Sequence, residues 1–169
     1  ATPDMAAFAE LFGRRLTDKT IRIPKALEAN FADPVTPEAV RIKSAIDAFN
    51  VRRTTEIESE LLAQRQRLAN AERAQSVKQT RKSAEDIRIS TNKIAWCLSK
   101  LHALQSTTVE PNDFRIFPMW YAPVVVMERG MRLIKPMRYH CRPNGAPESY
   151  DKKFDGLYNA RRESLEKFW

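Results

Sequence analysis

The sequence predicts an α+β protein in which a long antiparallel helical hairpin is joined to a β-rich core. Three observations carry this. From Glu38 to Glu110 there is neither proline nor glycine, and the stretch is rich in Ala, Glu, Gln, Lys and Arg, the composition of long helices. Residues 115–139 then switch to aromatic and β-branched runs broken by prolines, the texture of strands. Finally, Glu128-Arg129-Gly130 interrupts that texture with a turn, so that Val124–Met127 and Met131–Tyr139 read as a β-hairpin. Helices followed by strands imply α+β rather than alternating layers.

In chain order, Thr2-Pro3-Asp4 is a helix-start signal, with Thr2 as cap and Pro3 at the first helical position. Met5, Phe8, Phe12 and Leu16 follow at helical spacing and predict a helix over about residues 3–16. Residues 21–34 carry two prolines and read as irregular or short-helical. Thr36-Pro37-Glu38 repeats the start signal. Within the long helical region, Ile57 with Leu98, Leu61 with Ile94 and Leu68 with Ile87 share one midpoint between Val77 and Lys78. Arms folded back there bury a narrow seam, with the reversal at Gln75–Thr80; a single unbroken helix is the alternative. Pro143–Pro147 reads as a tight loop, and Asp155-Gly156 leads into Tyr158-Asn159 and a helix starting near Arg161. The expected organisation is 1–35 as helix and connection of the core, 36–106 as the hairpin, and 107–169 as β-hairpin and site segment of the core.

The 169 residues include 29 basic and 21 acidic ones, a net charge of +8. That surplus favours polyanionic partners, since phosphate neutralisation dominates nucleic-acid affinity. Between Arg65 and Lys93 lie eight basic residues against three acidic, so most of the surplus sits at the distal end of the hairpin. A solvated coiled-coil tip and a contact with a nucleic-acid backbone or partner protein both fit this. Cys97 and Cys141 form neither a disulfide framework nor a metal-ligand spacing, and no cofactor or metal is called for. Cys97 reads as a buried small hydrophobe. No apolar run is long enough to span a bilayer, and a reducing cytosol, close to the nucleoid, is the expected setting.

Candidate chemistry gathers late in the chain. Asn159 offers an acceptor and a donor pair for orienting a polar reacting group, and Arg161 a fixed fork that matches a phosphate. Arg162 and Glu163 join that network or face solvent. Asn159 as a helix cap and Arg161 paired with a carboxylate is the structural alternative. Trp120, Tyr121, Phe117 and Phe154 supply aromatic faces for stacking bases, with Arg138, Arg142, Lys152 and Lys153 as groove cations beside them. Core packing and an ordinary β-edge account for the same residues equally.

Tyr158-Asn159-Ala160-Arg161-Arg162 resembles the Asn-Ala-Arg signature of the SOS response-associated peptidase (SRAP) family. Trp120-Tyr121-Ala122-Pro123 is similar to the Trp-x-x-Pro strand end that precedes it. Phe117–Pro123 and Lys135-Pro136-Met137-Arg138-Tyr139 look like a large bacterial branch, so the resemblance covers about residues 115–169. It implies an SRAP-type β-rich core that binds single-stranded DNA containing abasic sites. In that family an N-terminal cysteine attacks the open-ring aldehyde through its α-amine, and its thiol closes a thiazolidine. A family glutamate and histidine assist, and self-processing gives the peptidase name. Asn159 and Arg161 carry over at motif positions, the former as the catalytic candidate, with Trp120 and Pro123 from the strand end. Tyr121, Arg138 and Arg162 complete the implied nucleic-acid surface. The sequence begins Ala1-Thr2-Pro3 and ends at Trp169, so the expectation is a fragment without the nucleophile, inactive in crosslinking alone. The competing expectation is a non-enzymatic coiled-coil adaptor, engaging nucleic acid, a protein partner or a second chain through its hairpin.

Overall fold

Thr2-Pro3 is a strand, not a helix start. In the computed structural model, which describes residues 1–143, 145–147, 149–153 and 163, β1 (Thr2–Pro3) pairs in parallel with Leu133 and Ile134. Asp4 takes over the capping role, accepting the Ala7 N–H at 3.0 Å, while its own N–H donates to the Ile134 carbonyl at 2.9 Å. The first helix, α1, therefore runs Met5–Arg14. The Thr-Pro signal is the same one that opens the long helix, where Thr36 does cap by accepting the Ala39 N–H at 3.2 Å. What differs at residue 2 is a strand waiting more than a hundred residues downstream.

The chain divides into two compact units, Ala1–Ile46 with Val109–Trp169, and Asp47–Thr108. In the first, α1 buries Phe8, Leu11 and Phe12 against Ile21, Ile23, Leu27 and Phe31, and against Ala39, Ile42 and Ile46 of α3 (Pro37–Val77). Phe31 meets both Phe8 and Phe12, with ring centroids 5.8 and 5.6 Å apart in tilted and edge-on geometries. The proline-containing connection is thus core rather than surface, with α2 (Lys25–Ala29) inside it. Tyr121 and Ile134 pack on the same core from the sheet.

That core closes over one ion pair. Arg15 and Glu28 are in direct contact with side chains 10% and 13% exposed. Burial pushes the Glu28 carboxyl above its usual range, and the Arg15 guanidinium offsets this only in part. Removing one partner leaves the other charge buried, so Glu28→Ala is expected to cost about 3 kcal/mol, or roughly 6–12 °C in the thermal midpoint. A raised folded value adds stability that is fully present below the unfolded value and is lost as pH rises through the folded one. The stability difference between wild type and Glu28→Gln should therefore move against the wild type just above the ordinary carboxylate range. Denaturant titrations of both proteins across that window check it.

The sheet order is β1-β3-β2, with β2 (Tyr121–Glu128) antiparallel to β3 (Met131–Arg138), from Tyr121 opposite Arg138 to Glu128 opposite Met131. Arg129 (φ 48°) and Gly130 (φ 79°) form the two-residue turn, both in the left-handed region that matches strand twist. The Tyr121 N–H points away from β3, donating to the Arg22 carbonyl at 2.9 Å. Alternation then turns the Pro123 nitrogen outward as well, where no ladder donor is needed. Pro136 faces Pro123 in register, and its nitrogen points to the β1 side beyond the end of that strand. Both prolines so occupy the positions a three-stranded sheet tolerates.

The second unit is the helical hairpin. The α3 helix ends at Val77 and α4 runs Arg81–Gln105, so the reversal at residues 78–80 falls where the shared midpoint of the apolar pairs predicts it. The unbroken-helix alternative is excluded. With neither Gly nor Pro available, a capping box closes α4: Thr80 accepts the Ser83 N–H at 3.1 Å, and the Thr80 N–H reaches Ser83 Oγ at 3.3 Å. Ile57, Leu61 and Cys97 are buried with Ile94, Leu101 and Leu104 against them. One correction concerns the seam. Cys97, fully buried, takes the inward place expected of Leu98, which is 46% exposed. Ser83, Ser90, Cys97 and Leu104 fall every seven residues, and Ile87, Ile94 and Leu101 do the same between them, making a heptad line along α4. Cross-arm pairs Arg67–Asp86 at 2.5 Å and Lys93–Glu60 at 3.2 Å hold the same register.

Candidate functional site

The far end of β3 carries a cluster of charge around one carboxylate. Asp151, on the short helix α5 (Ser149–Lys153), has a side chain only 5% exposed. Arg138 donates to its Oδ2 from Nη1 at 3.0 Å, while His140 Nε2 lies 3.4 Å and Arg142 Nε 3.7 Å from Oδ1. β3 ends at Arg138 and the chain bends just after it, the His140 N–H donating back to the Arg138 carbonyl at 2.9 Å, and Arg138, His140 and Arg142 all reach the one carboxylate. Arg138 is further fixed by Tyr121. Its guanidinium lies 5.3 Å from the ring centroid and donates from Nη2 to the phenol oxygen at 3.1 Å. Tyr121 is itself set by packing on the core and by its backbone bond to Arg22.

A cavity of about 500 Å³ opens here, lined by Arg14, Tyr121, Arg138, His140, Arg142 and Asp151 among others. Arg138 and Arg142 face the Asp151 carboxylate, and Arg14 lines the same cavity. The His140 side chain is 2% exposed, and neither ring nitrogen has a hydrogen-bond partner among the described residues. Asp151 Oδ1, likewise without a hydrogen-bond partner among the described residues, faces Nε2 at 3.4 Å. Phosphate oxygens match this arrangement, since guanidinium forks bind them in two-pronged fashion. Cys141 is partly exposed beside it. No group of three or more potential metal ligands occurs among the described residues.

The site residues expected from sequence are distributed as follows. Tyr121 and Arg138 meet in the cavity wall. Trp120 packs edge-on against Phe117 at 5.2 Å, and Phe117 remains 48% exposed. Its backbone is held by Met119 (φ 71°), whose N–H donates to the Tyr139 carbonyl at 2.8 Å, and by the Tyr139 N–H donating to the Trp120 carbonyl at 2.7 Å. Left-handed backbone at a methionine is uncommon, and it occurs here at the entry to the motif strand. Pro123 lines a separate depression with Pro24, Leu27, Phe114 and Ile116. Asn159, Arg161, Arg162 and Phe154 lie outside the described residues, and Glu163 is exposed. Arg14, His140 and Asp151 had no signal as site members in the sequence. A carboxylate thirteen residues from its arginine leaves no periodic trace.

The fold and cavity together define an α+β protein with an arginine-lined cavity at the end of a three-stranded sheet. No protein-family model, curated protein or solved structure matches the chain. Among the described residues, no helix is long and apolar enough to cross a membrane.

Proposed function

We propose that this chain is the nucleic-acid-binding part of an SRAP-type DNA-damage protein, and that the cationic cavity seats a backbone phosphate of single-stranded DNA. The observation that carries this reading is the Arg138 fork, held between the Tyr121 ring and Asp151 at the wall of the cavity. Both residues belong to the segments that resemble the family, and the net charge of +8 favours the same partner. The exposed Phe117, packed on the partly buried Trp120, offers an aromatic face for stacking. Asn159, Arg161 and Arg162 are the further site residues proposed from the signature, Asn159 orienting the reacting sugar and the arginines holding adjacent phosphates.

In this reading the α-amine of an N-terminal cysteine adds to the aldehyde carbon of an abasic site and water leaves. The thiol then adds to the imine carbon, closing a thiazolidine. Residue 1 of this sequence, Ala1, does not supply that thiol. The test is a denaturing gel of the product of the complete reading frame incubated with single-stranded DNA carrying one abasic site. A covalent adduct is expected, lost when the N-terminal cysteine is replaced and reduced by Asn159→Ala. Absence of any adduct would contradict the proposal.

A further inference from the structure

At the reversal of the helical hairpin, five cations take no part in holding the fold. Of the eight basic residues between Arg65 and Lys93, Arg67 pairs with Asp86, Arg88 with Glu85 and Lys93 with Glu60. The side chains of Arg65, Arg73, Lys78, Arg81 and Lys82 make no ion pair or hydrogen bond among the described residues, and all five residues are exposed. The one remaining acid, Glu72, leaves the tip strongly positive. Four of the five lie in the last turns of α3, the reversal and the first turn of α4, and Arg65 sits two turns back.

Stability does not explain the placement of Arg81 and Lys82. The first turn of α4 holds Arg81 and Lys82 and no acid, although the positive end of a helix dipole disfavours cations there. Each such charge works against the helix by about 0.3–1 kcal/mol. Like charges facing one another across a tight reversal add to that. The α4 terminus is already closed by the Thr80–Ser83 capping box, so the cations are not needed as a stop signal either. A cluster held against local electrostatics is explained by an anionic partner that neutralises it.

We propose that the hairpin tip is a second polyanion contact, one that grips the sugar-phosphate backbone of nucleic acid without reading its sequence. The chemistry of the tip favours nucleic acid over an acidic protein. Residues 63–93 contain no aromatic side chain, and Val77 is the only large hydrophobic among them that is exposed. Protein interfaces concentrate their energy in buried aromatic and apolar anchors, whereas phosphate contacts need clustered, mobile cations and polar donors. Donors are present. A groove of about 540 Å³ beside the tip has Gln66, Asn70, Thr80 and Lys82 among its lining residues. The Gln66 amide donates to Asn70 Oδ1 at 3.1 Å, and the exposed Asn70 shares the groove lining with Lys82. The inference stands apart from the crosslinking reading, since it involves neither the cavity nor any residue of the Asn-Ala-Arg segment.

The experiment is fluorescence anisotropy of the 169-residue chain with a labelled single-stranded oligonucleotide of mixed sequence, repeated between about 50 and about 200 mM salt. Replacing Arg65, Arg73, Lys78, Arg81 and Lys82 together by glutamine should weaken binding at least tenfold at low salt. The slope of log affinity against log salt should shrink by about 3.5, at about 0.7 per lost phosphate contact on a single strand. Glu72→Lys, a single exposed change that keeps the helix, should move affinity and slope the other way. Unchanged affinity and slope in both variants would overturn the proposal. Poly-glutamate is the second probe. Binding much weaker than DNA is expected, and equal affinity for the tip would assign it to an acidic protein instead. The same tip effects should persist in an Arg138→Ala background, so failure of the cavity reading and failure of this one are separable.

Discussion

Replacing Asp151 with alanine should lower the stability of the first unit while raising its affinity for phosphate. The carboxylate is nearly sealed from solvent and faces Arg138, His140 and Arg142 within 3.0–3.7 Å. Its loss leaves those groups without their anion, and breaking a buried pair in this way costs about 3–5 kcal/mol. The same change adds one unit of positive charge to the cavity wall and removes the carboxylate that Arg138 Nη1 now binds, in favour of an incoming oxyanion. Denaturant titration and phosphate binding by calorimetry should therefore move in opposite directions, and Asp151→Asn, which keeps one acceptor, should lie between. Added phosphate should restore part of the lost stability, since a ligand that binds only the folded state stabilises it. A variant both less stable and no better at binding phosphate would show Asp151 to be only a structural partner.

Arg138→Ala is expected to have the largest effect on single-strand binding of any single change in the first unit. A hydrogen bond to a charged group contributes about 1.5–3 kcal/mol, so affinity should fall by roughly 10- to 150-fold. The salt slope should fall by about 0.7 for one lost phosphate contact. Arg138→Lys separates charge from geometry. Lysine keeps the charge but cannot hold both the Tyr121 oxygen and Asp151 in one plane, so the slope should recover more than the affinity. Because Arg138 also stacks on Tyr121, both variants need a folding control from the near-ultraviolet signal of the aromatic residues.

The parts of the fold that were legible in the sequence are those governed by local chemistry. A stretch free of Pro and Gly, with apolar pairs sharing one midpoint, was enough to place the helix reversal within a few residues. Arg129-Gly130 was enough for the β-turn, because only a few residue pairs tolerate two left-handed positions in succession. What was not legible depends on distant partners. Thr2-Pro3 carries a good helix-start signal, yet parallel pairing with Leu133 and Ile134 outweighs it and passes the cap to Asp4. Ile21, Ile23, Leu27 and Phe31 are core, but the prolines among and after them interrupt every period that would have marked them. At the site, the Trp-x-x-Pro and Lys-Pro-Met-Arg segments pointed to Tyr121 and Arg138, which do meet. Asp151 and His140 join them through a sharp change of direction after β3 that no spacing rule anticipates.

His140 gives the most direct test of the cavity. The chain has two histidines, His140 buried at the cavity and His102 exposed on α4, so their imidazole signals are readily told apart. In a nuclear magnetic resonance titration with a short single-stranded oligonucleotide, the His140 ring resonances should shift and saturate. The Arg138→Ala protein should need much more oligonucleotide to reach the same shift. Binding that saturates with the His140 ring unmoved would contradict the account, because a phosphate seated beside Arg138 and Arg142 cannot leave that imidazole unaffected.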